Sequence, residues 1–63
     1  MRTLVVVNAA EHVHRVREPY RFRNKSLLID WLRLMLPNRP WSKRWTLEKI
    51  DSQLREEELI LKY

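Results

Sequence analysis

The block Leu27–Leu36, LLIDWLRLML, constrains this chain more than any other stretch, because eight of its ten residues are apolar. It reads as a central helix on which the rest must pack. Asn24 or Ser26 can cap its start, since a short polar side chain accepts a bond from a free backbone N–H of the first turn. Pro37 ends it, because the residue before a proline is pushed out of helical geometry. At about 100° per residue, Ser26, Asp30 and Arg33 share one narrow face, with Asp30 and Arg33 spaced as an i,i+3 ion pair. Apolar side chains cover the rest of the circumference. Such a helix calls for burial on nearly all sides, and 63 residues supply little material to bury it. The excess is read as a contact surface for a second copy or another protein, with Leu28, Trp31, Leu32 and Met35 on the helix and Trp41 and Tyr63 elsewhere as anchors. The plainer alternative is that the remaining elements sandwich the helix completely. Ten residues are too few to span a bilayer, which takes about 20.

Before the helix, Thr3–Asn8 is a β-branched apolar run and reads as a strand. Its continuity implies cover on both faces and a place away from the sheet edge. Asn8–Glu11 makes a plausible four-residue turn, and His12–Arg17 the returning strand, with Val6 facing Val13 and Val5 facing His14. Glu18–Arg23 is then a connector in which Tyr20, Arg21, Phe22 and Arg23 alternate ring and base. An extended half-buried segment shows that alternation, and so does a surface that stacks bases and contacts phosphates.

After Pro37-Asn38-Arg39-Pro40, a rigid turn, Thr46 caps a second helix. Trp45 before the cap and Ile50 within the helix have the spacing of a hydrophobic staple. Glu48 complements the helix dipole, Leu47, Ile50 and Leu54 form one apolar face, and Asp51–Arg55 is a supportive i,i+4 pair. Leu59–Tyr63 reads as a short strand joining the N-terminal hairpin, because two strands alone are marginal in water. The whole is an α+β domain over 1–63: an N-terminal β-hairpin, a central apolar helix, a second amphipathic helix and a short C-terminal strand, ββααβ. The alternative is one long C-terminal helix and no third strand. A helix running into Glu57-Glu58-Leu59-Ile60 is similar to the end of a winged helix-turn-helix domain. That resemblance covers the last third only, its helix is acidic where a DNA-reading helix would be basic, and no family is assigned from it.

Composition narrows the chemistry. Glycine is absent, so no glycine-rich phosphate loop can form, and Asn8, Asn24 and Asn38 become the expected sites of positive φ. Cysteine is absent, which removes disulfides and thiolate zinc sites. With the apolar run Leu4–Val7 too short for a signal peptide, the expected location is cytoplasmic. His12 and His14 with Glu11 fall short of a metal site, so no metal or cofactor is expected. Ser26, Ser42 and Ser52 have no base and orienting group beside them in any reading of the pattern, so no enzyme activity is expected.

Charge is uneven. Residues 15–44 carry a net +7 and residues 45–63 a net −2, within a total of +5. A basic middle beside an acidic tail suits a polyanion or head-to-tail pairing. Two functions follow. The first is a small protein-binding domain, an adaptor, inhibitor or assembly factor that self-associates or docks on a partner through its apolar helix. The second is a nucleic-acid-binding module in which Arg15, Arg17, Arg21, Arg23, Arg39, Lys43 and Arg44 form one patch. The first leads, because the apolar excess demands an explanation and a modest positive charge serves solubility. No membrane partner is expected.

Overall fold

A computed structural model describes residues 3–9 and 19–63. The order of elements is β1 (Leu4–Asn8), β2 (Tyr20–Phe22), α1 (Lys25–Met35), α2 (Leu47–Arg55) and β3 (Leu59–Lys62). The three strands form one antiparallel sheet in the order β2-β1-β3. This is the ββααβ arrangement, and Leu59–Lys62 is strand rather than a continuation of the second helix. β1 occupies the centre, as its unbroken run of branched side chains suggests.

The hairpin differs in its second arm. Val5 and Val6 face Arg21 and Tyr20, not His14 and Val13, so the strand beside β1 is the segment read as a connector. Its alternation of ring and base is the period-two signature of a half-buried strand. His12–Arg17 lies outside the described residues. The expected cover on both faces of β1 also takes a different form. Leu4 and Val6 are buried under the helices, whereas Val5 and Val7 are half-buried on the other face.

Asn24 starts α1, its Oδ1 accepting from the Leu27 N–H at 3.0 Å, and Leu36 before Pro37 stops it. Thr46 caps α2 through the Lys49 N–H at 3.1 Å. Leu28, Ile29 and Leu32 of α1 meet Ile50 and Leu54 of α2, Trp41 of the connection, and Leu4, Val6 and Leu61 of the sheet in one core. Both helices therefore cover the same face of the sheet, α1 beside β2 and α2 beside β3. Trp41 is fully buried, donates its indole N–H to the Leu36 carbonyl, and meets Trp45 edge-on with centroids 5.9 Å apart. Trp45 packs on the core from outside, with the Lys49 ammonium 5.0 Å from its ring centre.

Two local expectations are corrected. Asp30 pairs with Lys43 at 2.9 Å, and Arg33 instead gives its Nε–H to the Trp41 carbonyl at 3.0 Å, so the i,i+3 pair does not form. A helix neighbour offers only a few tenths of a kcal/mol, and both side chains find partners on the connection that follows. Positive φ falls not on an asparagine but on Trp41, at 26°, and Glu58, at 63°. Tertiary packing holds the first, and the reversal between α2 and β3 requires the second.

Candidate functional site

The surface that remains after the core closes is not the one expected. Leu28, Leu32 and Trp41 have no exposed area, so no partner can touch them while the domain is folded. Trp31 is half-buried, and Met35 and Tyr63 are about half exposed. Tyr63 follows β3, at the opposite sheet edge from the strand that touches Trp31. Besides Met35 the helix also exposes Leu27, at 48%, and Leu34, at 78%. With Trp31 they stand at i, i+4 and i+7, a single stripe along one flank of α1.

Tyr20 and Phe22 of β2 complete this surface. Tyr20 lies against Trp31 with ring centroids 4.8 Å apart, and Phe22 at 5.2 Å. The three rings form a tilted cluster that fixes the indole, since aromatic pairs in this range favour inclined contacts. Tyr20 keeps 40% of its area exposed. A rigid aromatic centre thus stands between two exposed leucines. Sequence reasoning counted Leu27 and Leu34 in the apolar surface without singling them out, and read Tyr20 as a half-buried or base-stacking ring. An all-round apolar helix has no periodic signal that says which flank ends up outside.

The basic residues separate. Arg15 and Arg17 lie outside the described residues, as do His12 and His14. Arg21 and Arg23 are exposed at β2, and Arg44 is exposed in the α1–α2 connection. Arg39 is held inside the domain's own network, with Glu57 at 2.9 Å, Glu56 at 3.2 Å and Gln53 at 2.7 Å. Asn38 also donates to Glu57, at 3.0 Å. The hydrogen bonds from Asn38 and then Arg39 hold the Glu57 carboxyl below its ordinary value, and the bond to Glu57, with the nearby charges of Glu57 and Glu56, raises the Arg39 guanidinium. Lys43 is paired with Asp30. Two of the seven expected phosphate contacts are thus engaged with the chain's own carboxylates.

Among the described residues there is no pocket, no group of three metal-ligating side chains, and no helix long and apolar enough to cross a membrane. Comparison with protein-family models, curated proteins and solved structures finds no match for the chain.

Proposed function

We propose that this chain is a non-enzymatic protein-binding domain whose docking surface is the outer flank of α1, Leu27, Trp31 and Leu34, together with Tyr20. The observation that carries the reading is the exposure of Leu27 and Leu34 on either side of an aromatic cluster already held in place by β2. Large apolar side chains scattered singly over a surface need no explanation, but a contiguous group around fixed rings marks an interaction site. In a pure solution, with no other protein present, a second copy can fill the same flank by pairing α1 with α1, and a tighter-binding partner would displace it. The nucleic-acid reading has less support, because Arg39 and Lys43 are neutralised within the chain.

Light scattering at low and high salt, with and without a random-sequence duplex, tests this. The expected result is a salt-resistant dimer that ignores the duplex and returns to monomer in Leu34→Lys. A monomer that enters a salt-sensitive complex with the duplex would overturn the proposal, since counterion release on phosphate contact produces that salt dependence.

A further inference from the structure

The two outer edges of the sheet are unlike. Ala9 donates its N–H to the Glu58 carbonyl, in register with the β1–β3 ladder, so Val5 and Val7 bond toward β3. Leu61 then turns its N–H away from β1, and the Asp51 carboxylate takes it at 2.9 Å. One outward donor of that edge is thus capped by the chain itself. On the other side Leu4 and Val6 bond toward Phe22 and Tyr20, which leaves the N–H and C=O of Arg21 pointing outward. No side chain among the described residues caps them.

The open edge lies beneath the aromatic cluster. Trp31 rests on the rings of Tyr20 and Phe22, and Leu27 and Leu34, on the same stripe of α1, stay exposed. Arg21 alternates with Tyr20 and Phe22 and so lies toward the opposite sheet face, and both Arg21 and Arg23 are exposed and without a carboxylate partner among the described residues. We propose that the β2 edge accepts an extended segment of a partner protein as a fourth strand, with alternating apolar and acidic side chains. The apolar ones would rest on Leu27, Trp31 and Leu34, and the acidic ones would meet Arg21 and Arg23. Main-chain pairing supplies affinity in this mode of recognition, and alternate side chains supply selectivity. A second copy fits this edge less well, because two β2 strands paired about Arg21 bring like charges directly opposite. The inference rests on the protein-binding reading above and specifies its partner.

The probe is a short, end-blocked, fluorescein-labelled peptide alternating glutamate and valine, titrated with the full chain and followed by anisotropy. Saturable binding is expected, weaker by roughly tenfold or more in Leu34→Lys and in the double variant Arg21→Gln/Arg23→Gln. A lysine–valine peptide should not bind. The same glutamate peptide, N-methylated at the amides that would face β2, should lose binding because it cannot form the ladder. Methylated peptide binding as tightly as the parent would overturn strand addition, and the docking surface would survive if Leu34→Lys still weakened it. Failure of the glutamate peptide to bind, with a dimer still abolished by Leu34→Lys, would likewise overturn the strand alone. Binding indifferent to both methylation and Leu34→Lys, with no dimer, would remove both readings. A dimer that excludes the peptide would make a second copy the occupant and overturn the partner proposed here.

Discussion

Asp51 in α2 accepts the backbone N–H of Leu61 in β3 at 2.9 Å and, from the same carboxylate, the Nε–H of Arg55 at 3.1 Å. One side chain thus ties the second helix to an outer strand and closes one of that strand's outward donors. Edge strands left open are sites of unwanted pairing, and an acceptor aimed at the edge blunts them. Asp51→Ala should destabilise the domain by about 1–3 kcal/mol, the range for a charged hydrogen-bond acceptor lost from a partly buried donor. Asp51→Asn keeps an acceptor and should recover much of the loss. Urea unfolding of the three proteins measures this, and an Ala variant as stable as the parent would show that water replaces the carboxylate without cost.

Glu57 carries the clearest acid dependence. Its folded pKa is depressed by Asn38 and Arg39, so its contribution is complete above the carboxyl's ordinary value of 4.5 and is lost as pH falls through the lower folded value. The raised value of Arg39 adds dependence only at extreme alkaline pH. Melting temperature should therefore drop in the acid range below 4.5, and Glu57→Gln should flatten that limb while lowering stability at neutral pH. An unchanged acid limb in Glu57→Gln would assign the loss to other carboxylates.

Glu58 has a φ of 63° where the chain turns from α2 into β3. A residue with a Cβ is held there at a cost of roughly 1–2 kcal/mol, part of which glycine recovers after its greater unfolded freedom is subtracted. Glu58→Gly should stabilise by about 0.5–1 kcal/mol, seen as a higher urea midpoint at constant slope. The backbone bonds from Ala9 to Glu58 and from Glu58 to Arg55 are kept in that variant. A lower midpoint would mean that the side chain contributes more than its conformation costs.

Trp41 is the largest fully buried side chain and also sits at positive φ. Trp41→Phe keeps a ring but removes the N–H that satisfies the Leu36 carbonyl and leaves unfilled volume. A loss of about 2–4 kcal/mol is expected, a large share of what a domain of this size possesses. Chemical denaturation followed by circular dichroism reads it directly, and a loss under about 1 kcal/mol would show that the site collapses around the smaller ring.

Much of the fold was legible because it depends on local chemistry. The Asn24 and Thr46 caps, the stop before Pro37, the Asp51–Arg55 pair and the C-terminal strand each follow from neighbours within a few residues. The candidate surface was legible only in kind. An excess of apolar side chains around Leu27–Leu36 means that some stay outside the core, but every side of that helix offers candidates. Leu28 and Leu32 were as good candidates as Leu27 and Leu34 until β2 and α2 occupied their sides.

The amino-acid sequence by itself determined the two helices, the first strand and where they stop, and that apolar side chains on the central helix outnumber those one face can bury. These are consequences of caps, periodicity and composition, which act over one or two turns of chain. The tertiary structure alone decided that Tyr20–Phe22 is the strand beside β1, that Arg39 and Lys43 give their charge to the chain's own carboxylates, and that Leu27 and Leu34 stay outside. Those outcomes depend on register and on which flank of a helix meets the sheet. Both are set by contacts between residues distant in sequence, whose pairing no local pattern encodes.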